Sequence, residues 1–413
     1  MQLTSEESEI LAGKHGDGIR AALEYQVQLG KFYGAKSMVP VSNAHFTGDY
    51  EVMDAGGYEY LKKVSEGGGK VRVPTTRNAT CVDPAMADLM RQRAELVDGE
   101  ALVGPLLSRM GVLTTNTCVN YQSVYVPNLG DTVAWGDTGT VAYANGVLGA
   151  RTNYEAGPAS LFAGVTGRTP GYGFHLDEAR KANVVVNTSS ELKDYADWGV
   201  LGRIVGKKFR GYENVAAIVA PNATPSPDKL KHLAASIASH GSMGMFHVVG
   251  ATPEAPTLEV ARGERPLLGE MTVSDDDIRA VYTELGPETE DVELVVFTAP
   301  QLSLLEVQDI VSHLGGRRVN PNVQLVITVN SAVSQQLRET GLMARLTEVG
   351  VLLTTGTCWY LMDPAQMQKE FGWKSVVTNS AKLANIIAAH NYRPVLRTTA
   401  ECVEAAVKGT VSK

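Results

Sequence analysis

Four cysteines, Cys81, Cys118, Cys358 and Cys402, stand far apart in a sequence of 413 residues. Thiolates are the usual ligands of iron–sulfur clusters, and an iron with an open position acts as a Lewis acid on a hydroxyl or carboxylate. Because the sequence has no CxxC pair, it indicates neither a zinc finger nor a ferredoxin. The alternative for each cysteine is a small buried apolar side chain, which fits Cys402 best because it lies in an amphipathic helical pattern.

Histidines and arginines form a second candidate set. His45, His175 and His247 could serve in acid–base chemistry or substrate contact, or be structural histidines with satisfied hydrogen bonds, and His247 in mid-strand favours the structural role. Arg151 and Arg168 stand among glycines and small residues. Such an arginine suits bidentate capture of a carboxylate or phosphate, and the alternative is a salt bridge between domains.

Composition excludes several classes of protein. Acidic residues exceed basic ones by 45 to 37, for a net charge of -8, which disfavours binding to nucleic acid or to an anionic membrane surface. The glycine-rich runs match no nucleotide-binding fingerprint, and there is no G-x-S-x-G motif. The polar, acidic start lacks the features of a signal peptide, and no apolar stretch is long enough for a transmembrane helix. These features predict a cytoplasmic protein with reduced cysteines.

Short apolar segments that end in polar clusters predict the elements that position these residues. Strands are expected at 37–41, 70–74 and 111–115, followed by the clusters Ser42–His45, Thr75–Asn78 and Asn116–Cys118. Ligands bind at the carboxyl ends of strands in α/β sheets, so this repetition indicates a site. Residues 131–181 are rich in small residues, Asn, Thr and Arg, lack periodicity and predict a long functional loop.

Strands alternate with helical patterns from about residue 214 onward, which favours doubly wound, mainly parallel sheets. We therefore predict an α/β protein with an N-terminal domain at 1–212, a middle segment and linker at 213–288, and a C-terminal domain at 289–413. The run Val112–Cys118 is echoed by Leu352–Cys358. We interpret the echo as two domains that each deliver one cysteine from a strand end to a shared cleft.

Several segments resemble the aconitase X family, a branch of the aconitase superfamily, and the resemblance covers essentially the whole chain. The segments are Tyr143–Asn153, Glu155–Pro158, Gly167–Pro170, Ser42–His45, Pro74–Thr76 and Thr378–Ser380. The resemblance implies an aconitase-like multi-domain fold with the active site in an interdomain cleft. It also implies a hydro-lyase that removes water from a small hydroxy acid and holds iron through cysteines.

Carried over position by position, the resemblance implies Cys118 and Cys358, with Cys81 as a third, as metal ligands. The cofactor would be a 2Fe-2S or 4Fe-4S cluster or a mononuclear iron, and the absence of the CxxC pair of classical aconitases leaves its type open. His45, Arg151 and Arg168 are expected to be catalytic. The expected substrate-binding residues are Ser42, Thr75, Thr76, Asn145, Thr152, Asn153, His175, Asn379 and Ser380.

The resemblance offers two substrates, cis-3-hydroxy-L-proline, dehydrated to a pyrroline-2-carboxylate, and mevalonate 5-phosphate. The candidate segments carry only Arg77, Arg151 and Arg168 as obvious cations, which favours the amino acid over the phosphate ester. The chain corresponds to the family's large part, so a separate small swivelling-domain subunit that carries a serine base is expected. A non-catalytic iron-binding subunit is the alternative of another class.

Overall fold

The computed structural model describes residues 1–412, which form three successive α/β units. The elements of the first unit are α1 (Ser5–Leu11), α2 (Asp17–Phe32), β1 (Met38–Pro40), β2 (Asn43–Phe46), α3 (Tyr50–Glu66), β3 (Thr75–Arg77), α4 (Ala94–Arg109), α5 (Asn120–Ser123), β4 (Val133–Trp135), α6 (Thr138–Tyr143), α7 (Pro158–Thr166) and β5 (Arg168–Pro170). A three-stranded parallel sheet has the order β3-β2-β4, and β1 pairs with β5 in an antiparallel ribbon.

The polar clusters themselves form the buried strands of the first unit. β2 and β3 cover 43–46 and 75–77, whereas the apolar segment 70–74 forms no strand in the described chain and 111–115 contributes a single bridge at Leu113. Polar side chains are tolerated in a buried strand when they are hydrogen-bonded. Asn43, for example, accepts a bond from Trp135 Nε1 at 2.7 Å and donates to Pro74 O at 2.8 Å.

Residues 131–181 are not one long loop. They contain β4, α6, α7 and β5, a π-helical segment at Ala144–Leu148, and short 3-10 helices at Gly173–His175 and Asp177–Arg180. The small residues that hide the periodicity allow close packing: a Cβ added at Gly164 in α7 would lie 2.4 Å from Thr75 Oγ1. The small residues, which predict a loop from the sequence, instead allow α7 to pack as a helix in which residues 159–166 are buried.

The second unit surrounds a four-stranded parallel sheet of order β8-β7-β6-β9. Its elements are β6 (Val184–Thr188), α8 (Tyr195–Lys208), β7 (Val215–Val219), α9 (Pro227–Gly241), β8 (Met245–Val248), α10 (Leu258–Arg262), β9 (Gly269–Val273) and α11 (Asp275–Glu284). Because β6 pairs with both β7 and β9, the unit begins before β6 and not at residue 213. The proline- and acid-rich stretch 253–290, expected as a linker, supplies a strand of this sheet and two helices.

The third unit is a doubly wound parallel sheet of five strands in the order β12-β11-β10-β13-β14. Its elements are β10 (Leu294–Leu302), α12 (Leu304–Leu314), β11 (Gln324–Val329), α13 (Ser331–Glu339), α14 (Leu342–Glu348), β12 (Val351–Thr355), α15 (Pro364–Phe371), β13 (Ser375–Thr378), α16 (Ala381–Ile386), β14 (Arg393–Leu396) and α17 (Thr399–Lys408). β10 buries Val295 and Phe297 in one apolar cluster and Leu294 and Val296 in another. Apolar residues on both faces of a strand are typical of a sheet covered on both sides, so the predicted α/β class is confirmed.

Buried charges join the second unit to the third. Lys231 of α9 contacts Glu306 of α12 and lies 3.3 Å from Asp228, while His232 Nε2 lies 2.8 Å from the same glutamate. Burial opposes the charge on Glu306, but the positive charge of Lys231 and the hydrogen bond from His232 hold its pKa at about 2. A buried carboxylate is stable only with such compensation, so these residues hold the two units in a fixed relative position.

No helix in the part of the chain that the structure describes is long and apolar enough to cross a membrane.

Glycines allow α8 and α9 to pack closely beneath the site. A Cβ added at Gly202 in α8 would lie 2.9 Å from both Leu233 O and Ile237 N of α9. These are backbone atoms of α9, and they cannot move aside to make room for a Cβ as the end of a flexible side chain could. The separation of these two helices therefore depends on the absence of a side chain at this position.

We expect Gly202→Ala to lower the free energy of unfolding by about 1–3 kcal/mol, because the added methyl forces the two helices apart. Gly56→Ala in α3 is the matched control, since Gly56 is exposed and a Cβ there meets no heavy atom beyond its own neighbours in the chain within 4 Å in residues 1–412. That control should be neutral or stabilising by about 0.5 kcal/mol. Denaturant unfolding measures both, and equal midpoints for the two variants would contradict the prediction.

Candidate active site

All three units contribute to a cavity of about 390 Å³. Its polar and reactive lining residues are Thr47, Asn78, Cys118, Asp137, Thr138, Ser239, Ser242, Cys358, Tyr360 and Lys382. The first unit supplies the members up to residue 138, the second supplies two serines, and the third supplies the rest. An interdomain pocket with a few converging polar groups is the usual form of a small-molecule site.

Two thiols, those of Cys118 and Cys358, line this cavity. Cys118 lies just before α5, and Cys358 follows β12 after a turn at Gly356. Burial, then the charges of Asp137 and Cys358, raise the pKa of Cys118 to about 12. Burial also raises the pKa of Cys358, and the Lys382 ammonium opposes the shift at both thiols.

A carboxylate and an ammonium face each other across the cavity. Asp137 caps α6, where it accepts from Thr140 N at 3.4 Å and from Thr140 Oγ1 at 3.1 Å. Lys382, in the first turn of α16, places Nζ 3.8 Å from Asp137 Oδ1. Burial disfavours charge on both groups, but the lysine charge holds the pKa of Asp137 below its ordinary value, and Asp137 and the two thiols raise the pKa of Lys382. Both groups are therefore charged at neutral pH.

His45 lies fully buried behind the cavity wall, at the end of β2. Its Nδ1 is 2.7 Å from Thr76 Oγ1, and its Nε2 has no partner within the described residues. Burial lowers the pKa of His45 to about 4, against the opposing charge of Asp137. The ring is consequently neutral at neutral pH. Asn78, between this strand and the cavity, donates to Asp137 Oδ1 at 3.5 Å.

The remaining cysteines do not line the cavity. Cys81 Sγ donates to Glu100 Oε2 at 3.2 Å inside the first unit, and burial followed by the Glu100 charge raises the pKa of Cys81 far above its ordinary value. Its neighbour Thr80 nevertheless accepts from the backbone N–H of Cys358 at 3.2 Å, so the two cysteine segments run side by side. Cys402 is buried in α17 among apolar residues, in agreement with its amphipathic pattern.

The two candidate arginines lie away from the cavity and are occupied by carboxylates. Arg168 donates to Glu7 Oε1 at 2.7 Å and to Glu6 Oε2 at 3.0 Å, which ties β5 to α1. Arg151 contacts Asp177 and donates to His175 O at 2.9 Å. Both guanidinium groups are thus paired with carboxylates outside the cavity in this structure.

Most of the expected substrate-binding residues direct their polar atoms into the fold. The bonds are Ser42 to Thr132 O, Thr75 to Val73 O, Thr76 to His45, Asn145 to Gly244 O, Thr152 to Asn153 O, Asn153 to Tyr172 O, His175 to Glu155, Asn379 to Thr399 and Ser380 to Ala299 O. None of these residues lines the cavity described above. Thr76 and Ser380 act on it indirectly, the first through His45 and the second as the cap of α16 ahead of Lys382.

Asp137, Lys382 and Asn78 line the cavity but were not expected as site residues. The signals for them are local in the sequence. Asp137 precedes Thr138-Gly139-Thr140 with the spacing of a helix cap, and Lys382 follows the capping Ser380 at a strand end. A search for polar residues at strand-to-helix junctions identifies both Asp137 and Lys382. A search for charged residues flanked by glycines identifies neither.

The fold and the cavity together define an enzyme of mainly parallel α/β architecture, with two thiols, a carboxylate and an ammonium at the junction of three units. Family models for the first, second and third domains of aconitase X match residues 1–178, 182–283 and 292–408. The chain therefore belongs to the aconitase X family. These matches also place the first division just before β6, as the sheet pairing does.

Similar proteins of known activity cover nearly the whole chain. The phosphomevalonate dehydratase large subunit of Thermococcus kodakarensis is 34% identical over 93% of this chain and 94% of its own length. The cis-3-hydroxy-L-proline dehydratase of Pseudomonas aeruginosa is 32% identical over 99% of this chain and 70% of its own length. A crystal structure of Thermococcus kodakaraensis aconitase X in its holo-form superposes with a TM-score of 0.88 at 32% identity, covering 98% of this chain and 100% of that chain. Because these relatives are dehydratases, the chain is an enzyme of the lyase class, and the non-catalytic alternative is not supported.

Family membership implies an iron–sulfur cluster, and the thiol pair fits such a group in donor type. The two sulfurs share one cavity with an ammonium that favours their ionised forms. Within residues 1–412, no three side chains of His, Cys, Asp or Glu converge closely enough to hold a metal ion. The structure thus brings together two of the three expected ligands.

Thiol accessibility distinguishes the cavity cysteines from the other two. In folded, metal-free protein we expect a small alkylating reagent to modify Cys118 and Cys358, which line the cavity, but not Cys81 or Cys402, which are 0% exposed. Peptide mass spectrometry after timed labelling measures all four sites. The same labelling in denaturant is the control and should modify every cysteine. Equal protection of all four in the folded protein would contradict the cavity assignment.

Proposed function

We propose that this chain is the large subunit of a dehydratase that removes water from cis-3-hydroxy-L-proline, using iron held by Cys118 and Cys358. The observation that carries the proposal is the convergence of these two thiols with Asp137 and Lys382 in one cavity. The iron would be a 2Fe-2S or 4Fe-4S cluster or a single ion, with Cys81 as the proposed third ligand. When bound, it supplies a Lewis acid for the leaving hydroxyl.

The charges in the cavity are matched to a cyclic amino acid. Lys382 offers an ammonium to the substrate carboxylate, and Asp137 offers a carboxylate to the ring ammonium. Neutralising the substrate carboxylate makes the adjacent C–H more acidic, because the negative charge that develops there on deprotonation is stabilised. Loss of the proton from C2 and of hydroxide from C3 amounts to loss of water. It gives a cyclic enamine that tautomerises to the pyrroline-2-carboxylate.

Mevalonate 5-phosphate is the second candidate. The observation in its favour is that two large subunits of phosphomevalonate dehydratase match 93% and 92% of this chain and 94% and 92% of their own length, whereas the matched region covers 70% of the Pseudomonas aeruginosa hydroxyproline enzyme. The charge of the cavity argues against it. Lys382 is the one Lys or Arg among the lining residues in the described chain, and Arg77 is buried against Glu100. A substrate with both a phosphate and a carboxylate needs more positive charge than this.

A separate small subunit completes the proposed enzyme. Relatives of equal length are named large subunits, and the longer hydroxyproline enzymes extend beyond the region that this chain matches. We propose that the small subunit covers the cavity and supplies a serine base. Turnover by the purified chain with and without a co-expressed candidate small subunit tests this directly.

The iron assignment predicts that Cys118→Ser and Cys358→Ser each lose bound iron and dehydration of cis-3-hydroxy-L-proline together, because each removes one thiolate ligand. Iron content by mass spectrometry and formation of the ultraviolet-absorbing product measure the two effects. Cys402→Ser is the matched control, since that cysteine is buried in an apolar cluster of the third unit. Full iron content in both cavity variants would overturn the proposal, and turnover of mevalonate 5-phosphate alone would select the second candidate.

Lys382→Met should lower kcat/KM by about 100-fold or more, since it removes the cation that neutralises the substrate carboxylate. Arg168→Met is the informative comparison because its guanidinium is bound by Glu6 and Glu7 outside the cavity. We expect that variant to keep kcat/KM within about 3-fold and to lose stability, because Glu7, whose side chain is 3% exposed, is left without its cation. Steady-state kinetics on iron-loaded enzyme measures both. A large loss with Arg168→Met and none with Lys382→Met would reverse the assignment of the carboxylate-binding cation.

A further inference from the structure

Gln301 lies fully buried where the loops that carry the two cavity cysteines meet. It is the next-to-last residue of strand β10, just before α12, in the third unit. Every polar atom of this residue is hydrogen-bonded. The sequence gives no signal for it, because a glutamine at the end of an apolar strand resembles any other polar strand terminus.

Three of its hydrogen bonds hold the Cys118 loop of the first unit. The backbone N–H of Gln301 donates to Cys118 Sγ at 3.3 Å, and Gln301 Oε1 accepts from the backbone N–H of Cys118 at 3.3 Å. Gln301 Nε2 donates to Asn116 O, also at 3.3 Å. The backbone and the side chain of Gln301 thus form hydrogen bonds to both the sulfur and the main chain of Cys118, one of the proposed ligands.

The same amide group also holds the Cys358 loop. Gln301 Nε2 donates its second hydrogen to Thr357 O at 2.9 Å, the carbonyl that directly precedes Cys358. The two loops are tightly apposed, since a Cβ added at Gly356 would lie 3.1 Å from Asn116 Cβ. One NH₂ group therefore spans the seam between the two cysteine loops.

The second unit holds Gln301 from behind. Lys231 Nζ of α9 donates to Gln301 O at 3.2 Å, and Lys231 is itself fixed by Glu306 and Asp228. The carbonyl, the backbone N–H and the side-chain amide of Gln301 accordingly contact all three units. The two nearest substitutes do not fit these partners: glutamate would set a carboxylate against two carbonyl oxygens, and asparagine is one methylene too short.

We propose that Gln301 is a positioning residue that fixes the spacing of Cys118 and Cys358 and thereby sets the metal-binding geometry of the cavity. The proposal rests on the proposed thiolate-held iron. Partners of this kind orient metal ligands and typically change metal affinity by about 10–100-fold when removed. Gln301 touches neither the substrate nor the reacting atoms, and it acts through the two cysteines.

The test uses the full-length, metal-free chain and two probes. Co²⁺ titration reports thiolate coordination through its sulfur-to-cobalt charge-transfer absorbance, and dibromobimane reports whether Cys118 and Cys358 lie close enough to be bridged. We expect Gln301→Asn and Gln301→Leu to weaken Co²⁺ binding by about 10-fold or more. Both should also lower the yield of the bridged Cys118–Cys358 peptide several-fold. Gln301→Asn keeps a neutral amide, so the test can still be made if the Gln301→Leu variant does not fold.

Gln26→Leu is the matched control for a purely structural role. Gln26 is equally buried, in α2, and donates to Ala159 O at 2.8 Å within the first unit. It should lower thermal stability while leaving Co²⁺ affinity and bridging at wild-type values. Wild-type values for both probes in a folded Gln301→Asn variant would overturn the inference.

The two proposals fail in different ways. If the wild-type chain gives no charge-transfer band with Co²⁺, the iron site fails, while the bridging yields still decide whether Gln301 sets the spacing. If wild type binds Co²⁺ through its thiols and Gln301→Asn binds it equally well, the iron site stands and the role of Gln301 falls.

Discussion

The site depends on one ion pair, between Asp137 and Lys382, because the cavity gathers ionisable groups where burial opposes every charge. An unpaired buried charge costs several kcal/mol. Each partner offsets the other, so the pKa of Asp137 is lowered and that of Lys382 is raised. The same ammonium favours the ionised forms of Cys118 and Cys358. A single cation therefore favours the charged forms of a carboxylate and of two thiols, while burial still raises the pKa of Cys118 to about 12.

The positions of these groups follow from junctions between strands and helices. Asp137 caps α6, Lys382 lies in the first turn of α16, and Cys118 lies two residues before α5. A side chain at such a junction is held by the rigid elements on both sides, while its tip remains free to face a ligand. The buried network around Lys231 and Glu306 joins the unit that carries Lys382 to the second unit. Gln122 of α5, in the first unit, donates to Asp228 of the same network at 2.8 Å. Precision at the cavity is thus a consequence of how the units are joined.

The sequence predicts the third unit well because its strands are continuous apolar runs, such as 294–297, separated by amphipathic helices. It predicts the first unit poorly for the opposite reason. β2 and β3 consist of polar residues that are stable in a buried strand only because of hydrogen bonds formed with distant segments, such as that of Asn43 with Trp135. The boundary at 212 was misplaced on the same grounds, since the pairing of β6 with β9 joins residues far apart in the chain.

The candidate site residues show the same difference between local and long-range information. Cys118 and Cys358 could be found because thiols are rare and the two surrounding segments echo each other. The ion pairs of Arg151 and Arg168 could not be found in this way, because their acidic partners, Asp177 and Glu6, are far away in the sequence. Local composition identifies which residues are able to do chemistry. Whether a charged group is free or already paired is a property of the tertiary structure.

The ionisation states in the cavity bear on where the proton of the substrate goes. A general base is most effective when its pKa is near the working pH. Asp137 has a lowered pKa and is occupied by Thr140 and Lys382, and His45, with a pKa of about 4, is a weak base. Lys382 is protonated and has no free electron pair, and burial keeps the Tyr360 phenol protonated. These groups in and beside the cavity are suited to binding and charge compensation rather than to proton removal, which is the task that a base on the proposed small subunit would perform.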